Sequence, residues 1–125
     1  MIRKLILIAF AGGIGTLARY GLSGAVQRIG GSAFPWGTLS INVIGCLSAG
    51  FIWSLFESRW QVSPDTRTIL IVGFLGAFTT FSAYILETGE LVRGSEWTLA
   101  AANIAMQNVL GFVSLFAGSA FGRMV

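Results

Sequence analysis

Gly73-Phe74-Leu75-Gly76-Ala77-Phe78-Thr79-Thr80-Phe81-Ser82 lies inside an uncharged run from Thr68 to Leu86, and its composition conflicts with that setting. The run is long enough to cross a bilayer, since a helix needs about 20 largely apolar residues to do so. Two glycines and a β-branched threonine pair, however, weaken helix at its centre. The stretch therefore predicts a third membrane helix broken in mid-membrane, with a simple kink as the alternative. Non-helical backbone at that depth must be buried in protein or line a cavity, because its freed carbonyl and amide groups need partners. A break of this kind offers carbonyls to a cation and a helix start to an anion.

Three further uncharged runs flank it: Leu5 to Ala18, Gly37 to Phe56 and Trp97 to Gly122. The first reaches spanning length only if it continues past Arg19. It follows Met1-Ile2-Arg3-Lys4 as a signal peptide would, but without a clear small-residue cleavage site, so it reads as a first span. Four crossings result, and residues 1–125 read as a single four-helix transmembrane domain, an all-α membrane protein. The composition agrees: 54% hydrophobic, only 10% charged, mean hydropathy +0.78. The linkers expected are Gln27 to Trp36, Glu57 to Arg67 and Glu87 to Glu96. Such short connections make sequential helices antiparallel neighbours. Trp36, Trp53, Trp60 and Trp97 fall near the expected interfaces, where amphipathic rings fix depth.

The net charge of +3 sits mainly at span ends, beside lipid headgroups, and does not imply nucleic acid. With the N-terminus cytoplasmic, that side holds Arg3, Lys4, Arg59, Arg67 and Arg123, against Arg19, Arg28 and Arg93. Five against three is a slight positive-inside bias. It is compatible with one fixed orientation and also with a chain that inserts both ways and pairs with an inverted copy of itself.

Catalysis finds little to work with. The chain has no histidine and one cysteine, Cys46, and no carboxylate lies within an uninterrupted span. Acid–base or nucleophilic chemistry needs a titratable group with a positioned partner, so an enzyme is not expected. The same absence counts against a proton-coupled multidrug exporter, which depends on a carboxylate in its first span. Glu87 and Glu90 are expected at the interface, opening a linker.

Uncharged polar residues are clustered instead. Thr38, Ser40 and Asn42 lie on the second span, Thr79, Thr80 and Ser82 on the third, and Asn103, Gln107, Asn108 and Ser114 on the fourth. Asn103, Gln107 and Ser114 share one helical face. Polar groups at membrane depth act either as interhelical glue or as a permeation track. The seventeen glycines are expected mainly to let helices approach closely, Gly118 and Gly122 forming a small-xxx-small pair.

Gly12-Gly13-Ile14-Gly15 with Ala18-Arg19-Tyr20, Gly37-Thr38-Leu39-Ser40-Ile41-Asn42, and Gly73-Phe74-Leu75-Gly76 running into Thr79-Thr80-Phe81-Ser82 resemble the Fluc (CrcB-type) fluoride channels of bacteria over essentially the whole length. The resemblance implies an antiparallel, dual-topology homodimer in the cytoplasmic (inner) membrane, with two pores that export F− passively. It implies that the carbonyls of Gly76 and Thr79 from both subunits hold a structural Na+ at the dimer centre. Phe81 and Tyr84 match the family's pore phenylalanine pair. Asn42, Ser82 and Thr80 lie beside that path, Arg19 near its vestibule, and Glu87 is an acid following the pair. Tyr84 departs from the second phenylalanine, and Phe112 and Phe116 stand where the family commonly places a Ser or Thr of a polar track. Ser114 is no simple substitute, because two residues turn a helix by about 200°. Two readings follow: a working channel in which Tyr84 or Asn108 supplies the missing donor, or a non-conducting subunit that depends on a different partner.

Overall fold

The structure, a computed structural model, describes residues 1–58 and 61–125. The charge of Arg59 and the interfacial place expected for Trp60 lie outside the described residues. The described chain is all-helical: α1 (Ile2–Gly30), α2 (Trp36–Ser58), α3 (Pro64–Thr68), a π-helical stretch (Ile69–Leu75), α4 (Gly76–Phe78), α5 (Phe81–Arg93) and α6 (Trp97–Met124). Among the described residues four segments are long and apolar enough to cross a membrane: α1, Trp36–Glu57 of α2, Pro64–Arg93 and α6. These are the features of a multi-pass membrane protein.

The helices run further into the linkers than expected. Only 31–35 separates α1 from α2, and 94–96 separates α5 from α6. A change from apolar to charged residues marks a change of solvent rather than the end of a helix. Glu87, Glu90 and Arg93 sit comfortably in helix, so α5 continues through them. Glu87 is accordingly not the start of a linker: it is half-buried inside α5.

Three sets of polar contacts order the crossings. Lys4 Nζ pairs with Asp65 Oδ1 at 2.8 Å, bringing the start of α1 to the start of α3. At the other end the Gln27 amide donates to the Phe34 carbonyl at 2.9 Å and accepts from the Gly37 amide at 2.9 Å, closing the α1–α2 turn. Thr38 Oγ1 donates to Glu87 Oε1 at 2.7 Å, which brings the latter part of α5 to the start of α2.

Packing does not simply follow chain order. α2 makes its most extensive contact with α6, and α1 packs on the π-helical stretch. The α2–α6 seam brings backbones together: a methyl group at Gly50 would fall on the Leu115 carbonyl, and one at Gly118 on the Leu47 carbonyl. In lipid, where hydrophobic burial does little to drive helices together, close van der Waals contact of this kind is the main attraction. Trp36, Trp53 and Trp97 are exposed toward helix ends, and the Arg67 guanidinium lies 5.7 Å from the Trp53 ring centre.

Candidate ion pathway

The third crossing changes its backbone three times. Gly76 N–H reaches back five residues to the Ile71 carbonyl, which widens the turn, and α4 then lasts three residues. Thr79 (φ −85°, ψ 160°) and Thr80 (φ −150°, ψ 119°) are extended, and α5 begins at Phe81. Thr80 caps that helix, its Oγ1 accepting from the Ala83 amide at 3.3 Å.

Extended backbone at this depth needs partners from elsewhere, and α2 provides them. Asn42 Oδ1 accepts from the Thr80 amide at 2.9 Å, and Asn42 Nδ2 donates to the Thr80 carbonyl at 3.0 Å. The same Nδ2 donates to Gln107 Oε1 on α6 at 3.1 Å. α2 approaches closely here because residue 45 is glycine: a methyl there would collide with the Thr79 methyl.

Around this junction lies a groove of about 240 Å³ lined by Asn42, Cys46, Thr79, Thr80, Phe81, Tyr84, Gln107 and Asn108. The Phe81 ring is 74% exposed, whereas Tyr84 is buried. Their rings meet edge to face, with centroids 5.5 Å apart at 67°. Asn108 is exposed at the rim, its Nδ2 donating to the Ile104 carbonyl of its own helix at 2.8 Å. A ring edge carries the positive end of the aromatic quadrupole, so amide, hydroxyl and ring-edge groups together suit a small anion.

A family model described as CrcB-like protein, Camphor Resistance (CrcB), matches residues 6–119. The chain belongs to the CrcB-like family. Relatives named fluoride-specific ion channel FluC resemble it along their whole length. The one from Desulforapulum autotrophicum is 57% identical over 125 residues, all of both chains. Those from Solidesulfovibrio magneticus and Nitrosococcus oceani are each 46% identical, again over all of both chains.

In this CrcB-like chain the expected site residues divide between two grooves. Asn42, Thr80, Phe81, Tyr84 and Asn108 come together in the first. Ser82 and Arg19 line a second, together with Thr38, Thr80 and Glu87, so that Thr80 borders both. Arg19 is not at a helix end: its Nη1 donates to the Thr79 carbonyl at 3.4 Å. Phe112 and Phe116 are exposed on α6 and are not among the residues lining either groove.

Three residues of this CrcB-like site carry weight that sequence reasoning did not assign them. Gln107 was visible as one of the polar residues of α6, but not as the partner of Asn42. Cys46 lines the groove four residues beyond Asn42 on the same face of α2. Thr88 Oγ1 donates to the Tyr84 carbonyl at 2.7 Å and accepts from Asn103 Nδ2 at 2.9 Å, tying α6 to the turn that carries Tyr84. The four-residue spacing of Tyr84 and Thr88 was the available signal for this tie.

The carbonyls of Gly76 and Thr79 are the positions at which the resemblance places Na+. Backbone carbonyl oxygens are the donor type that an oxygen-seeking cation takes. The amide that a continuous helix would aim at the Gly76 carbonyl, that of Thr80, donates to Asn42 instead. The Thr79 carbonyl accepts from Arg19, which leaves its second lone pair available.

Proposed function

We propose that this chain is a fluoride-selective ion channel of the bacterial cytoplasmic membrane, in which F− leaves passively through two pores of an antiparallel, dual-topology homodimer. The observation that carries the reading is the groove at Thr79 and Thr80, where amide, hydroxyl and aromatic groups converge on non-helical backbone. The relatives' name agrees with that chemistry, and identity over the full length of both chains carries it to the whole of this one. The chain is accordingly a channel and not an enzyme.

Fluoride is small and strongly hydrated, so a pore must offer substitutes for the lost water and still release the ion. Phe81 is the principal ring-edge group. Tyr84 stands where a second phenylalanine is expected and sets its ring against the first. Asn42, Thr80 and Asn108 add polar atoms along the groove. The second groove serves as vestibule, in which Arg19 draws anions toward Ser82 and Thr80.

In this reading residues 1–125 form one four-helix transmembrane domain whose third crossing is broken at Thr79 and Thr80. The carbonyls of Gly76 and Thr79 would hold the structural Na+, and an inverted second copy would double the set of oxygens. When bound, that ion supplies a fixed positive charge joining the two subunits. The partner-dependent alternative rests on Tyr84, Phe112 and Phe116; Tyr84 lies in the groove with its ring against Phe81, which supports a self-sufficient channel.

The test is fluoride release from liposomes loaded with potassium fluoride, containing only this protein, with valinomycin carrying the countercharge. Rapid fluoride release with chloride retained is expected, and Phe81→Ile should slow it about tenfold or more. Unchanged release in Phe81→Ile would overturn the ring-edge role. No release from a folded dimer would favour the partner-dependent subunit.

A further inference from the structure

We infer that Gln107, rather than Asn42, is the amide that donates to the permeating anion, and that the Thr80 backbone sets its orientation through Asn42. The inference rests on the channel reading above and deepens it. The argument begins with a group whose direction is not open to choice. A backbone N–H can only donate, so the atom it meets on Asn42, 2.9 Å away, is the oxygen. Asn42 must then turn its amide nitrogen to the Thr80 carbonyl and to Gln107, at 3.0 and 3.1 Å. Both hydrogens of that nitrogen are thereby committed, and Asn42 has no donor left over.

Gln107 must in turn meet Asn42 with its own oxygen, which directs its nitrogen the other way. That Nε2 is buried and has no partner among the described residues. Two N–H groups without an acceptor at membrane depth are costly. The Gln107 side chain lines the same groove as Phe81 and Tyr84, so a small side-chain movement that opens the enclosed Nε2 to the groove would give it an anion as acceptor beside the ring edges. Asn42 is a positioning residue in this arrangement. Its own substitution acts by releasing both Thr80 and Gln107.

The experiment follows the side-chain 15N–1H signal of Gln107 in detergent-solubilised or nanodisc-embedded protein during titration with sodium fluoride, with sodium chloride as control. The signal is assigned by its loss in Gln107→Met. Gln27, whose amide closes the α1–α2 turn, supplies an internal reference. The expected result is a shift at Gln107 Nε2 with fluoride, with a nitrogen–fluorine coupling through the hydrogen bond, and none with chloride. Gln107→Met and Gln107→Glu should each lower liposomal fluoride release about tenfold or more. The glutamate variant keeps an acceptor for Asn42, so a loss shared by both variants separates donation from simple packing. Absence of any fluoride-dependent change at Gln107 overturns the inference, whether or not the protein conducts. Release within twofold of the parent in both variants overturns it too. A protein that releases no fluoride yet shows the Gln107 shift refutes the channel reading alone and leaves the binding site standing.

Discussion

Thr80 serves two neighbours: its amide and carbonyl bond to Asn42 on α2, and its hydroxyl oxygen caps α5. Thr80→Val keeps the branched shape and removes the cap together with the 3.4 Å contact to the Ser82 hydroxyl, so it should cost about 1 kcal/mol of stability, read as a lower thermal midpoint in detergent. Thr80→Ser should stay within a few tenths of a kcal/mol of the parent. Asn103 is the other residue whose loss should register. It is fully buried and donates to Thr88, which holds the Tyr84 carbonyl. Asn103→Ala leaves a cavity and a weakened tie, and should destabilise by about 1–3 kcal/mol in the same assay. Which residues were polar at membrane depth was plain from the sequence. Which of them pair was not, because Asn42 and Gln107 lie 65 positions apart and only helix packing brings them together.

Among the elements, the α2–α6 seam and the third crossing show opposite uses of glycine. At Gly50 and Gly118 the missing side chain lets two helices touch backbone to backbone. Gly118→Leu should therefore wedge the seam apart and cost about 1–3 kcal/mol, again read as a lowered thermal midpoint. In the third crossing Gly73 and Gly76 lie in and just after the π-helical turns, and the chain is extended two residues beyond α4. The glycines and threonines that weaken helix there could be read directly, since propensity is a local property. The wide π-helical turns, by contrast, had no local signature. They accompany close packing of the stretch on α1, where a methyl at Gly15 would strike the Phe74 carbonyl. Helix ends depart from the charge pattern for the same kind of reason: charge marks where lipid stops, while capping and turn contacts stop the helix.

For the whole molecule, the slight bias of charge between the two ends is the property with the widest consequence. A dual-topology chain should place each terminus on both sides of the membrane. Single-cysteine labels at residues 2 and 124 in a Cys46→Ser background should both react with an impermeant thiol reagent from either side of oriented vesicles. Labelling of each terminus from one side only would end the antiparallel dimer. The surface pair between Lys4 and Asp65 should matter little by comparison: Asp65→Asn is expected to leave the thermal midpoint almost unchanged.

Four crossings, their short connections and the absence of acid–base machinery follow from composition and charge spacing alone, because a bilayer sorts a chain by solubility one segment at a time. The kinship carried by the glycine-rich and Thr79-Thr80-Phe81-Ser82 segments is likewise legible in the sequence. Tertiary structure alone decided that α2 packs on α6, that Glu87 lies within a helix against Thr38, that Arg19 reaches the Thr79 carbonyl, and that Ser82 faces a different groove from Phe81. These outcomes depend on how helices rotate about their axes and which faces they present to each other. Such rotation is set by close contacts and hydrogen bonds between segments distant in the chain, which no local window of sequence contains.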